Sequence, residues 1–360
     1  MPLLPLGQLI TSERLLRRAH LVLAWLLHLY VHTQPPCPDQ ITIPRPLSAP
    51  LLAVSRELAL PPVVTYADTV LYNWREVDGH IRCVTLFTGT PDEEHFFLTS
   101  ARIELAGVAA LSLMQQSLDE AFVDDAIARR RIASYLHKLA LVIRNLTAIL
   151  DAVRDGCDPR VFYEQVRPWF RGEDSGKRLW VFQDQRGLEV DLGETRELSG
   201  PSAGQSTLIH ALDIFLGVDH STTPAPSALS RPGTDGSTKR PHSTPFLERM
   251  QAYMPRHHRN FINHLKVVPR PIRKLVMQSG PNEPVRLAYN EAVTALQEFR
   301  TTHIRIATLY IITQSHRWPT VTVDAHQAVE PAKGTGGTDL VPFLKSSRDD
   351  TASTLLRPEQ

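Results

Sequence analysis

Residues 284–313, PVRLAYNEAVTALQEFRTTHIRIATLYIIT, decide the fold. Ala288, Ala292, Leu296, Phe299, His303, Ile306 and Tyr310 recur at intervals of three and four, the repeat of one helix face turned toward a core. The same segment raises the first question of function, because an imidazole interrupts the apolar stripe at His303. A histidine there needs a partner. It is either a core side chain satisfied by a backbone carbonyl or an axial ligand that gives a ring nitrogen to a metal. Periodicity alone leaves both readings open.

Ser12 to Val31, Phe97 to Phe122, Arg131 to Val153, Asp158 to Arg167, Ala203 to Val218 and Thr244 to Met254 fit the same template, and strong strand signals are confined to short runs such as Leu179 to Phe182. An all-α fold is expected. Asp158 before Pro159 reads as an N-cap with proline at the first helical position, and Ser202-x-x-Gln205 as a capping box. Leu21 to Tyr30, preceded by Arg17 and Arg18, has the outline of a signal peptide. At about ten residues, broken by His28, it is too short to span a bilayer and reads as a core helix.

Hydrophobic residues make up 42% and charged residues 21% of 360, the balance of a soluble globule with room for a cofactor. Lys and Arg number 39 against 38 Asp and Glu, so no global field recruits nucleic acid or an anionic membrane. Cys37, Cys83 and Cys157 lie far apart without a CxxC spacing, which argues against a disulfide framework and for the cytosol. His220 to Pro245 is rich in Ser, Thr, Pro and Gly and is expected to be a disordered surface insertion. Ala325 to Asp339, with Gly334, Gly336 and Gly337, reads either as a linker or as a lid over a ligand. A boundary at Gly89-Thr90-Pro91 divides a small N-terminal domain, 1–90, from a large helical domain, 91–360.

Phe299 to Ile311, with Lys333 to Leu340, resembles the indoleamine 2,3-dioxygenase family. Five further blocks stand in that family's order: Leu60-Pro61-Pro62 with Tyr66 to Trp74; Phe96 to Ser100; Phe162-Tyr163 with Arg167-Pro168 and Gly172; Ser202 to Ser206 with Asp213; and Tyr253-Met254-Pro255 with His258 to Phe261. The resemblance covers about Leu15 to Leu356. The family's small domain usually begins with a further stretch of chain, so the expected N-terminal domain is shortened.

The resemblance implies a haem b dioxygenase of the kynurenine pathway, which opens the indole of L-tryptophan with O2 to give N-formylkynurenine. It makes His303 the iron ligand, with one haem per chain, and Arg300 the partner of a haem propionate and of Asp213. Ser202 and Ala203 would lie against the haem edge. Phe96, Phe97, Phe162 and Tyr163 would wall the indole, with Tyr66 also lining the substrate site. Ser100 would be the distal polar group, Arg167 the carboxylate clamp, and Thr335 and Gly336 the residues that close over the amino-acid end. No G-x-S-x-G elbow surrounds Ser100, so it is not read as a nucleophile. Ser202-Ala203-Gly204 has no following Lys, which argues against a Walker-type loop, and His257, His258 and His264 match no metal motif. Pro201 and Tyr163 depart from the family at the pocket border. An O2-binding relative without useful turnover, as in the molluscan myoglobins, and a dioxygenase for a modified indole are the alternatives. Monomeric state, cytoplasmic location, an electron donor, and no nucleic-acid or membrane partner complete the expectation.

Overall fold

A computed structural model describes residues 7, 9–35, 39–175, 178–193, 198–220, 246–267, 271–317 and 340–357. The anticipated lid, with Thr335 and Gly336, and the anticipated insertion beyond His220 lie outside the described residues.

The chain is all-α. Its helices are α1 (Glu13–His32), α2 (Arg45–Leu58), α3 (Pro91–Val123), α4 (Ala126–Asp151), α5 (Pro159–Val161), α6 (Thr207–Leu216), α7 (Phe246–Met250), α8 (Arg256–Val267), α9 (Pro271–Met277), α10 (Pro284–Ala307), α11 (Thr313–Arg317) and α12 (Leu340–Ser353). Two small ribbons accompany them. β1 (Gln40–Thr42) pairs in parallel with β4 (Leu179–Val181), and β2 (Trp74–Val77) pairs antiparallel with β3 (His80–Cys83). The β2–β3 hairpin was not anticipated. Its turn is Asp78-Gly79, both with positive φ (51° and 75°), the geometry that a tight hairpin requires and that an Asp-Gly pair supplies.

α10 packs along α4, and the contact is built from interlocking stripes. Ile132, Leu136, Leu139, Ile143 and Leu146 of α4 recur at four and three and are fully buried, facing a core that includes Ala292, Val293, Ala295, Leu296 and Phe299 of α10. α3 and α4 are joined by two aspartates with different tasks. Asp124 ends α3 in the left-handed conformation, and Asp125 begins α4 by accepting from the Ala128 N–H at 2.7 Å. Among the described residues α3 is the helix long and apolar enough to cross a membrane. Here it lies against α4, α6 and α9 as a core helix.

α1 is the core helix expected, with Leu21, Leu23, Ala24, Trp25 and Leu27 buried. Two of its histidines are tied in by opposite chemistry. His20 is fully buried between two acceptors, Asp68 Oδ1 at 2.9 Å and the Pro61 carbonyl at 3.1 Å. Burial would lower its pKa, but the Asp68 charge and hydrogen bond overcome that and raise it. His28 donates from Nδ1 to the Trp169 carbonyl at 2.7 Å and accepts the Val64 N–H at Nε2, which fixes a neutral tautomer. Burial pushes its pKa down to about 3.

The helix expected at Asp158 to Arg167 is not regular. Asp158 caps it as anticipated, accepting from the Arg160 and Val161 N–H groups, but after α5 the chain widens into a π turn at Phe162–Val166 and tightens into a 3₁₀ turn at Arg167–Phe170. α10 likewise runs into a π turn at Thr308–Ile312, and another stands at Ala67–Leu71. Wide turns of this kind insert a residue into the ladder and re-aim the side chains that follow. Behind Phe170 the backbone passes close to a second strand of chain. A Cβ on Gly200 would collide with the Phe170 carbonyl and one on Gly172 with that of Leu198, so glycine at both positions lets segment 198–202 lie directly against the Arg167 segment.

Candidate functional site

His303 occupies the apolar stripe of α10, as its spacing predicts, but it is half-buried rather than sealed. Neither ring nitrogen is hydrogen-bonded among the described residues, so the carbonyl-satisfied core histidine is not what the geometry shows. Burial, then the Arg300 charge, lower its pKa to about 4, which leaves the imidazole neutral near pH 7. A neutral imidazole with free nitrogens is the state that binds a metal.

One turn earlier, Arg300 and Asp213 are brought together. The Arg300 Nη2 donates to both Asp213 carboxylate oxygens at 2.7 Å, and its Nη1 donates to the Thr351 hydroxyl. The pair is buried. His220, which sequence reading assigned to a surface insertion, joins it: Nε2 meets Asp213 at 3.1 Å and Nδ1 meets Asp350 at 3.0 Å. Burial opposes the charge on Asp213, yet Arg300 and His220 hold its carboxyl down at about 2. Its partner in α12 is 130 residues away from His220, a distance no local pattern spans.

Phe96, Ser100 and Glu104 form one row of α3 at i, i+4 and i+8. All three are half-buried, and the Ser100 hydroxyl makes no hydrogen bond among the described residues. Phe96 packs on Phe162 with ring centroids 4.5 Å apart, and Phe162 on Tyr310 at 5.6 Å. Phe97 turns away from this row into Trp25 and Phe170, at 6.3 and 5.6 Å, and is 2% exposed. Tyr163 is half-buried and lies 5.6 Å from the buried Arg167 guanidinium. Burial, and secondarily Arg171, lower the Arg167 pKa to about 10, so it keeps its charge at neutral pH.

Ser202 does not cap α6. It caps only the 3₁₀ turn Ala203–Gln205, accepting from the Gly204 N–H, and leaves Ala203 exposed. The cap of α6 is Ser206, which accepts from Ile209. Gln205 is no capping-box partner either: its side chain accepts the Tyr66 N–H at 2.8 Å and donates to the Gly200 carbonyl at 2.8 Å. Tyr66 and Ser206 then converge on a residue that sequence reading missed. The Tyr66 hydroxyl donates to Glu104 Oε1 at 2.9 Å and the Ser206 hydroxyl to the same oxygen at 2.6 Å. Glu104's position one turn beyond Ser100 was the available signal.

These contacts close a circuit. It runs from Phe96 along α3 to Glu104, across Ser206 to α6, from Asp213 to Arg300, along α10 past His303 to Tyr310, and back through Phe162 to Phe96. Ser100 and His303 both sit on it, with unbonded polar atoms. The three histidines of residues 257–264 are engaged elsewhere or exposed: His258 bonds Thr207 at 3.0 Å, His257 meets Glu13 at 3.3 Å, and His264 is exposed. A charged surface cavity of about 390 Å³ between α4 and the end of α10, lined in part by Arg144, Arg154 and Arg305, includes neither His303 nor Ser100.

Residues 1–354 match the family model for indoleamine 2,3-dioxygenase. An indoleamine 2,3-dioxygenase of Aspergillus candidus is 33% identical, over 98% of this chain and 84% of its own length. Indoleamine 2,3-dioxygenase 2 of Homo sapiens is 32% identical, over 99% and 84%. A 6-hydroxytryptophan 2,3-dioxygenase of Fusarium equiseti is 28% identical, over 98% and 84%.

Proposed function

This chain belongs to the indoleamine 2,3-dioxygenase family, and we propose that it is a haem-dependent oxidoreductase that adds both atoms of O2 across the indole C2–C3 bond of L-tryptophan, giving N-formylkynurenine. The observation that carries this reading is His303: a neutral imidazole, unbonded, on the circuit that also holds the buried Arg300–Asp213 pair. These residues fit a haem. His303 would ligate its iron and Arg300, oriented by Asp213, would hold a propionate, with Ser202 and Ala203 along its edge. When bound, haem supplies the O2 activation that no amino-acid side chain can.

The chain's own task is binding, orientation and exclusion of water. Phe96 and Phe162, with Tyr163 and Phe97 behind them, offer the apolar wall against which an indole lies. Arg167, buried and cationic, clamps the substrate carboxylate. Ser100 is small and would leave room beside a bound haem. Oxygen insertion at an indole double bond requires no side-chain nucleophile, and the circuit presents none. We place the enzyme in the cytosol as a monomer with an electron donor for activation. The Fusarium equiseti relative, named for a hydroxylated tryptophan, keeps a modified indole as the second reading over an O2 carrier.

The test is spectroscopic and chemical. The purified holoenzyme should show a Soret band and form N-formylkynurenine from tryptophan with ascorbate and methylene blue. His303→Ala should lose haem and product while keeping its helicity. A normal Soret band in that variant would overturn the assignment.

A further inference from the structure

The row of Phe96, Ser100 and Glu104 has two charged poles. Arg167 belongs to the segment whose Phe162 and Phe170 pack on Phe96, at ring separations of 4.5 and 6.1 Å. Glu104 lies eight residues further along α3, on the order of 12 Å at 1.5 Å per residue. Its Oε1 takes both hydroxyl donors, from Tyr66 and Ser206, while Oε2 has no hydrogen-bond partner among the described residues. Among the described residues no Lys or Arg compensates it. Burial raises its pKa, and the two hydroxyls offset that only in part.

We propose that Glu104, aimed by Tyr66 and Ser206, is a specificity-determining residue whose free carboxylate oxygen accepts a hydrogen bond from a hydroxyl on the benzo ring of the substrate indole. This deepens the dioxygenase reading and rests on it. The separation of the poles selects the partner. An amino acid's ammonium and carboxylate share one carbon, so a substrate clamped at Arg167 cannot carry its ammonium to the opposite end of the row. The far edge of its aromatic ring can reach there. A phenolic hydroxyl would give Oε2 a hydrogen bond, whereas an unsubstituted ring would cover that oxygen with C–H groups and strip it of water. A site with a buried acceptor discriminates against the analogue that lacks the donor.

The proposal is tested on holoenzyme with L-tryptophan, its ring-hydroxylated isomers and the matching methoxy compounds, by kcat/KM and by titration calorimetry. At least one hydroxylated isomer should exceed tryptophan by roughly tenfold in both, a preference within the range that single polar contacts give. In Glu104→Gln the two hydroxyls retain the amide oxygen, so an amide NH2 replaces Oε2. The hydroxyl preference should then fall to near parity and the methoxy compound, which can only accept, should gain relative to it. Each comparison is a ratio within one protein, so a general loss of activity cancels. Glu104→Asp, which withdraws the carboxylate by one methylene, should reduce the ratio too and stands in if the Gln variant does not fold. No preferred isomer in the wild type, or a preference that survives both substitutions, overturns the proposal. If no indole is turned over at all, the dioxygenase reading fails, and the calorimetric ratios still decide the role of Glu104.

Discussion

The Arg300 cluster and the Glu104 cluster sit on the same circuit and treat charged side chains in opposite ways. Around Arg300, every acidic side chain has a nitrogen partner: Asp213 meets Arg300 and His220, and Asp350 meets His220. Around Glu104, among the described residues, a carboxyl is met by hydroxyls alone, with no cation and one oxygen left over. A matched network is stable by itself and holds its members rigidly, which suits a place where a large group must be seated. An unmatched carboxyl is incomplete until something else arrives, which suits recognition. The clusters differ in pairing and in burial, since Asp213 and Arg300 are buried and Glu104 is half-buried.

Three substitutions break or sharpen that contrast. Asp213→Ala should have the largest effect, because it leaves Arg300 and His220 buried without their shared counter-charge. The cost of breaking a buried pair is about 3–5 kcal/mol, to be read as a fall in the denaturant midpoint, with haem content falling alongside. Arg167→Leu comes next. Losing a charge-assisted pair with a desolvated carboxylate costs on the order of 3 kcal/mol, or about 10²-fold in kcat/KM. Haem content should stay unchanged, and a loss under about threefold would put the clamp elsewhere. Ser100→Ala should matter least, because the Ser100 hydroxyl has no protein partner among the described residues and the proposed chemistry asks no proton of it. A change in kcat/KM below about fivefold, under ~1 kcal/mol, is expected. Abolished turnover with haem and tryptophan still bound would give Ser100 a chemical role.

Much of this architecture is legible in the chain. The spacing of Ile132, Leu136, Leu139, Ile143 and Leu146, and that of Ala292, Leu296 and Phe299, encodes two core helices that need no tertiary information to recognise. Asp158-Pro159 announces a helix start for the same reason: capping is local chemistry. What escaped is non-local or competes with the helical period. The π turns at Phe162–Val166 and Thr308–Ile312 pack against each other through Phe162 and Tyr310, a contact between segments far apart in the chain. Ser202 reads as a cap because Gln205 stands three residues after it, but Gln205 is drawn off by Tyr66 and Gly200 and Ser206 caps the helix. His220 and Glu104 were missed because their partners arrive from distant elements. The Asp78-Gly79 hairpin was a local signal passed over.

His20 gives the fold a stoichiometry. Its two ring nitrogens face a carboxylate and a carbonyl, neither of which brings a hydrogen when Asp68 is ionised, so the pair is satisfied only while it holds one proton. The folded-state pKa is raised above the ordinary value of 6.5. The contribution is therefore fully present below that value and is lost as pH rises through the folded one. His220, between Asp213 and Asp350, obeys the same arithmetic, its pKa raised by Asp213 against the pull of burial. Between the unfolded and folded values the coil must take up protons from solvent in order to close α1 over Asp68 and to complete the Asp213 network. In that window hydrogen ion behaves as a ligand of the native state, and the folding constant depends on its concentration as it would on that of any other bound species.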